Sequence, residues 1–254
     1  MIAPALVAGL LARPADAQRR RPRFEPTDVE VSPPGQLGID LEMGLVRDGS
    51  AVHAYLPDVE LDLGLTDEVE LDLDGTLSLS SPDPDTWTPL ALDPDNLWVS
   101  LKVAVAGHRD RVRNTSWAVG FQAGPRVATA HGAHGLGGEA LVLAGGHVRR
   151  LHLTANLGAY SEPAVTGQRT ARRALLAGLD LAFDLNARGT LTLEGELYTV
   201  FAPESDEHEF GVSAGLAWSL SPQWALSTTA LLGWANGGPT AGLLLGVSPT
   251  FQLW

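Results

Sequence analysis

Hydrophobic and polar residues alternate along most of this chain, so that every second side chain has the same character. In the first such run, Leu37, Ile39 and Leu41 share one face, and Asp40 and Glu42 share the other. Successive side chains of a β-strand point to opposite sides of a sheet, so a period of two predicts strands with one apolar and one polar face. The pattern therefore predicts an all-β protein.

The alternation recurs in about twelve runs between residues 36 and 254. In the second and third runs a carboxylate stands at nearly every second position, as in Asp58, Glu60 and Asp62 and then Glu70 and Asp72. Charged carboxylates cannot lie in a hydrophobic core, so this face is expected to contact water. The run at residues 138–145 is ambiguous in phase.

These runs predict a closed, antiparallel, up-and-down transmembrane β-barrel of about 12 strands, covering residues 36–254. No run of eighteen or more apolar residues is present, so a spanning helix is excluded and a closed barrel is the remaining way to cross a bilayer. Long connections are predicted at 47–54, 80–96, 129–136, 161–172, 202–209 and 236–239, and tight turns at 66–68, 145–147, 186–189 and 221–223. The connection 107–114 is longer than this alternation predicts.

The first 17 residues have features of a cleaved secretory signal peptide. Residues 1–12 are apolar, and Ala15, Asp16 and Ala17 form a small-x-small cleavage site. A basic segment before the apolar stretch is missing, which leaves a short buried helix as the alternative. Residues 18–35, which contain RRRPR and two consecutive prolines, are predicted to be a flexible periplasmic extension.

Composition and charge narrow the possible functions. The chain has no cysteine, which excludes disulfides, thiolate nucleophiles and cysteine-ligated metal centres. The formal net charge is -13, and nucleic acid is therefore not an expected partner. No cofactor is predicted. The expected partners are outer-membrane lipid, small solutes and, through the last strand, the barrel-assembly machinery.

The densest group of chemically active side chains is a set of carboxylates on three neighbouring predicted strands. We call it the acidic wall; its members are Asp40, Glu42, Asp58, Glu60, Asp62, Glu70, Asp72 and Asp74. Carboxylates this close repel one another unless cations or basic side chains compensate. Lys102 and Arg126 are the predicted counter-charges facing the same lumen. The wall is interpreted either as a cation-selecting or calcium-holding surface or as an ordinary hydrated surface.

Aromatic residues fall near the predicted ends of the strands. Trp218 and Trp224 flank an inner turn, Trp234 is at the outer end of its strand, and Trp254 is the last residue. Such rings favour the two membrane interfaces. In the alternative, a soluble sandwich, these rings would pack a core.

Two short segments resemble a known family. GLTDEVEL at residues 64–71 and LSPQWAL at residues 220–226 resemble the strand–turn–strand unit of outer-membrane transporters of the MetA-pathway of phenol degradation. The resemblance implies an outer-membrane barrel and, more weakly, transport of a phenol-type solute. Trp254 is similar to the aromatic C-terminal signal read by the barrel-assembly machinery, although Gln252 shares its phase while Phe251 and Leu253 lie on the apolar face.

Catalytic and metal-binding patterns are weak in this sequence. Ser213 lies in GVSAG, a G-x-S-x-G match without the helix that a nucleophile elbow requires, and no spacing ties it to His152. Candidate loop ligands for a metal are His131 and His134, and also Asp83, Asp85, Asp93 and Asp95, but neither set has the spacing of a known site. No catalytic, cofactor or metal site is therefore assigned.

Together these observations predict an outer-membrane channel or facilitator for small solutes with a polar, acid-lined lumen. The alternative is a plugged barrel that acts as a lipid or ester hydrolase or as a structural protein, because a barrel of this size can be open or nearly filled.

Overall fold

The protein is a ring of antiparallel β-strands, seen in a computed structural model that describes residues 29–48, 51–81, 91–110, 113–166, 172–203, 208–235 and 238–254. Within these ranges no helix is long and apolar enough to cross a membrane. The strands are β1 (Gln36–Asp48), β2 (Ala51–Gly64), β3 (Val69–Ser81), β4 (Ala91–Pro94), β5 (Leu97–Asp110), β6 (Thr115–Val127), β7 (Ala133–His134), β8 (Leu136–Val148), β9 (Leu151–Ser161), β10 (Ala164–Val165), β11 (Arg173–Asp184), β12 (Leu191–Phe201), β13 (His208–Ser221), β14 (Trp224–Ala235) and β15 (Gly238–Gln252).

Twelve of these strands close into a barrel. Each is antiparallel to the previous barrel strand, and the ring closes where β1 pairs with β15, from Gln36 opposite Gln252 to Asp48 opposite Thr240. Beside this seam the backbone N–H of Leu253 donates to the carbonyl of Gly35 at 2.8 Å. The predicted closed antiparallel barrel of 12 strands is confirmed.

The three remaining strands lie at the outer end of the barrel, the end with the long connections. β4 pairs with β3 just beyond the point where β5 does, so it continues the line of β5. β7 and β10 pair with each other and join the loop after β6 to the loop after β9. The sequence did not predict these short pairings.

The outward face of the barrel is apolar. Leu157, Leu179, Leu197 and Leu245, which lie on four different strands, are between 43% and 64% exposed. Polar residues at the alternate positions, such as Asp180 at 0% exposed, are buried inside the ring. Leucine side chains turned outward around a closed ring suit a hydrocarbon environment.

Two inner turns differ from the sequence prediction. β5 continues to Asp110 and β6 begins at Thr115, so the connection predicted at 107–114 is short. A register shift between Ala104 and Ala106 interrupts the alternation there and hides the strand. The turn predicted at 145–147 lies at 149–150, because β8 runs on to Val148, and Arg149 takes a positive φ of 60° in that turn.

The strand of ambiguous phase is β8, and its interior face is partly apolar. Leu141 and Leu143 point inward and are 7% and 0% exposed, whereas Val142 points outward and is 58% exposed. The inward leucines pack with Trp98 and with Val29, which precedes the first strand. Apolar residues on both faces explain why the sequence alone did not fix the phase.

Residues 29–34, which precede β1, contact the interior of the barrel. We call residues 29–34 the inner segment. Val29 is 3% exposed and Ser32 is 0% exposed. This differs from the flexible periplasmic extension predicted for residues 18–35, because Val29 has an apolar contact surface inside the ring. The predicted signal peptide, residues 1–17, and residues 18–28 lie outside the described residues.

Candidate functional site

The strand register brings the acidic wall together on the interior face of β1, β2 and β3. The rows of directly opposed residues are Glu42 with Asp58, Asp40 with Glu60 and Asp74, and Asp62 with Asp72, while Glu70 lies opposite Gly64. Glu70 is 0% exposed and Asp72 is 2% exposed. The interior beside this part of the wall is thus filled, and differs from the freely hydrated face that the sequence predicts.

Hydrogen-bond donors from several elements contact the wall. Lys102 forms an ion pair with Glu70, which also accepts the backbone N–H of Ser32 at 2.5 Å. The Nε2 atom of Gln122 donates to Asp72 at 2.8 Å and to Ser100 at 2.8 Å. Donors at these positions stabilise carboxylates held away from water.

Two sets of three wall residues could hold a hard divalent cation. Carboxylate oxygens of Asp40, Glu60 and Asp62 lie within 4.8 Å of one another, and so do those of Asp62, Glu70 and Asp72. Oxygen ligands of this kind suit Ca²⁺. Lys102 already places a positive charge against the second set.

Arg126, a predicted counter-charge of the lumen, pairs with a different group of acids. It donates from Nε to Glu139 on β8 at 2.7 Å and from a terminal nitrogen to Glu162 at 2.8 Å. Its guanidinium also lies 4.9 Å from the ring centre of Tyr160. The expectation that Arg126 serves the acidic wall is therefore corrected, whereas Lys102 does contact the wall.

The contacts of Arg126 fasten an outer loop across the barrel end. Glu162 follows β9 and accepts a second bond, at 2.8 Å, from the side-chain amide of Asn96. Nearby, Arg172 donates to Glu209 at 2.7 Å. Glu162 is thus held from β6 and from the residue before β5, beside the outer opening.

A second acidic group faces the wall from the other side of the ring. Asp180 on β11 lies directly opposite Glu196 on β12, and Asp184 and Glu194 are buried on the same interior faces. Glu196 accepts a bond from Ser213 at 2.6 Å. The alternation predicted that these residues lie on the polar face of their strands. It did not indicate that they face the acidic wall across the barrel and complete an acidic interior.

The candidate catalytic residues are not assembled into a triad. Ser213 bonds Glu196, so it does not pair with His152. Instead Ser116 lies 2.7 Å from Nδ1 of His147, whose ring is 5.2 Å from that of His152. Asp184 is 3.5 Å from His152. The carboxylate of Asp184 therefore contacts His152, whereas Ser116 contacts the other histidine, His147. The pairing of Ser116 with His147 was missed because cross-strand neighbours have no fixed sequence spacing.

The loop candidates for metal binding receive no support. His131 and His134 are exposed, and neither belongs to a group of three potential ligands within the described part of the chain. Asp83 and Asp85 lie outside the described residues, as does the side chain of Asp93. Asp95 instead accepts the N–H of Asn96.

The four predicted interface tryptophans lie at strand ends and are exposed. Trp218, Trp224, Trp234 and Trp254 are between 43% and 67% exposed. Trp218 and Trp224 flank the turn between β13 and β14, and Trp234 lies near the outer end of β14. Rings at these heights can contact the membrane interfaces.

Comparison with known proteins supports the fold. No protein family model matches the chain, and no curated protein matches it in sequence. In structure it is similar to the COG4313 outer membrane channel from Pseudomonas putida F1, with a TM-score of 0.65 and 12% identity over 90% of this chain and 100% of that one. It is also similar to a KdgM porin in complex with disordered oligogalacturonate, with a TM-score of 0.56 and 8% identity over 84% of this chain and 99% of that one. It is similar as well to the NanC porin, with a TM-score of 0.55 and 11% identity over 83% of this chain and 98% of that one.

The fold is that of bacterial outer-membrane barrels. With the apolar exterior described above, it confirms the predicted location in the outer membrane. The resemblance to transporters of the MetA-pathway of phenol degradation stays a prediction, since no family model matches.

Proposed function

We propose that this protein is an outer-membrane channel for small solutes and that its acid-lined interior favours cations over anions. The observation that carries the proposal is the negative charge of the groups that line the barrel interior. The acidic wall and the group of Asp180, Asp184, Glu194 and Glu196 face one closed space. A ring of one charge sign inside a low-dielectric wall attracts ions of the opposite sign.

Three basic side chains of the described interior have carboxylate partners of their own. Lys102, Arg126 and Arg172 each form an ion pair with a carboxylate, namely Glu70, Glu139 and Glu209. The described interior carries more carboxylates than the three in these pairs. The NanC and KdgM porins support a channel of this architecture by their fold alone.

The inner segment makes the path narrow. It lies against Glu70 at 2.5 Å and against the leucines of β8, so only part of the ring is available to solutes. This favours small permeants. It also favours the second candidate, a filled barrel with a structural role, which would conduct no ions.

The experiment is a reversal-potential measurement on refolded protein in planar bilayers under a salt gradient. The test variant is D62N/D72N, which removes two facing charges while keeping the shape of both side chains. Losing about 1 kcal/mol of attraction for a cation lowers the cation-to-anion permeability ratio about fivefold. The control is D67N/E68Q, which removes two exposed charges in the turn before β3.

We expect the ratio to fall in D62N/D72N and to change little in D67N/E68Q. An unchanged reversal potential in the test variant would reject the role of the wall in selectivity. Absence of conductance steps in the wild-type protein would favour the filled barrel.

A further inference from the structure

We propose that the acidic interior is the docking surface for the chain's own arginine-rich stretch, residues 19–23, so that the N-terminal part of the chain is an internal counter-ion of the barrel. This inference concerns the same interior as the proposed function. It does not require that the barrel transports anything.

The direction of the inner segment is the first support. The chain leaves β1 at the inner rim, where the N–H of Gly35 donates to the carbonyl of Gly64 at 2.8 Å. Ser32 then lies against Glu70, near the start of β3. Val29 is next to Gly120, in the middle of β6. Moving backward along the chain, the segment therefore passes from the inner rim beside Glu70 to the interior face of β5, β6 and β8.

The barrel wall is shaped to receive this segment. The carbonyl oxygens of Ser32 and Pro33 occupy the space that a side chain at Gly64 would fill. A Cβ atom at Gly145 would lie 3.2 Å from a methyl group of Val29. Together with the apolar contacts of Val29 to Trp98 and Leu143, these close approaches indicate a specific seat.

Charge and length support the arginine stretch as the occupant. Arg19, Arg20, Arg21 and Arg23 precede Val29 by six to ten residues. Six extended residues reach about 20 Å, so Arg23 can contact carboxylates well away from Val29 but still inside the ring. Guanidinium groups bind carboxylates with two parallel hydrogen bonds, and this binding is stronger away from bulk water.

A divalent cation is the competing occupant, because two sets of wall carboxylates lie close enough to share one. The wall favours the arginines for two reasons. They belong to the same chain and are therefore present at a high effective concentration. In addition, Lys102 already places a positive charge against Glu70, a member of the second set, which weakens the attraction of that set for a metal ion.

The experiment is limited trypsin digestion of the folded barrel, residues 18–254, in detergent, with the new N-termini identified by mass spectrometry. Trypsin cuts after Arg19, Arg20 and Arg23, and not before Pro22. We expect these bonds to be cut at least tenfold more slowly in the folded protein than in heat-unfolded protein. Rapid cutting at these bonds in the folded wild type would overturn the proposal.

Two variants separate docking from simple inaccessibility. V29D places a charge in the apolar seat, and D62N/D72N weakens the acidic surface; both should speed cutting, while D67N/E68Q should not. If D62N/D72N changes nothing and added Ca²⁺ alone stabilises the wild type, the wall holds a metal ion and the proposal fails. Because digestion needs no conductance, its outcome is independent of the transport test.

If V29D does not fold, V29C/G145C replaces it. The natural chain has no cysteine, and the two positions are close enough for a disulfide. We expect the oxidised variant to form this crosslink and to resist trypsin at least as well as the wild type. Failure to crosslink in the folded barrel would contradict the seat of Val29.

Discussion

Glu70 and Lys102 form a buried ion pair across β3 and β5, next to Asp62 and Asp72 of the wall. Glu70 is 0% exposed, and it receives donors from both Lys102 and Ser32. A charge held out of water in this way depends on its partner, since removal of one member leaves the other without compensation. The pair is thus a sensitive point of the structure.

The first residue-scale expectation concerns this pair. K102M should lower the free energy of unfolding by about 3 kcal/mol, because it leaves a buried carboxylate without its cation. E70Q/K102M should stay within about 1 kcal/mol of the wild type, because a neutral pair needs no such compensation. Urea unfolding in detergent measures both, and equal losses in the single and double variants would contradict the interpretation.

At the level of single residues, the sequence predicted the positions of the acidic wall and of Lys102 well. Alternation fixes which face a side chain occupies, and the carboxylates of β1, β2 and β3 share the interior face, although Val46 of β1 lies on that face too. The partners could not be predicted in the same way. Gln122 reaches Asp72 from a strand fifty residues away, and Arg126 turns to Glu162 in a loop, because the register between strands is set by tertiary structure.

Among the elements, the loop after β9 is held in part by the side chain of Glu162. Glu162 accepts bonds from Arg126 on β6 and from Asn96 before β5. The neighbouring pairing of β10 with β7 adds only two residue pairs. The backbone N–H of Thr166 also donates to the carbonyl of Gly132 at 3.0 Å, so Glu162 is one of the contacts that hold this loop at the outer opening.

We expect E162A to release the loop and to increase the frequency of current fluctuations in single-channel recordings. The physical reason is the loss of two hydrogen bonds, one of them charge-assisted and worth about 2 kcal/mol. E68A, which removes an exposed acid at the opposite end, is the matched control. Identical noise in E162A and the wild type would show that other contacts hold the loop.

Element boundaries were predictable where the alternation is clean. It predicted the inner parts of β1, β2 and β3 from their leucines and acids. The long connection predicted at 47–54 was wrong, because β1 extends to Asp48 and β2 begins at Ala51. β8 was ambiguous because Leu141 and Leu143 face inward against Val29. The end of β5 was hidden by the register shift at Ala104. In both places the alternation is interrupted, at β8 by a contact with the inner segment and at β5 by a register shift against β6. Neither can be read from the local sequence.

The whole molecule presents apolar side chains outward and polar ones inward, the reverse of a soluble protein. Leu179 and Leu197 are paired across β11 and β12 near their middle, and both are exposed. In water such a surface would associate, whereas in a bilayer it contacts lipid tails. The cost of a charge on this surface should therefore depend on its depth.

L197R should destabilise the folded barrel in lipid vesicles by about 2–4 kcal/mol, because it places a guanidinium near the bilayer centre. L220R makes the same change beside the turn that follows β13, where the cost should be about 0–1 kcal/mol. Reversible denaturant unfolding in vesicles measures the difference. Equal costs at the two positions would be inconsistent with a membrane-spanning exterior.

The seam between β1 and β15 joins the two ends of the chain, and this has a consequence for biogenesis. The ring closes where β1 pairs with β15, so both strands must be made and exported before closure. Gly35, whose carbonyl is bonded by Leu253, is also the residue from which the inner segment turns inward. The last pairing of strands and the placement of the inner segment therefore both involve Gly35. Delayed closure would leave this residue accessible to periplasmic chaperones and proteases.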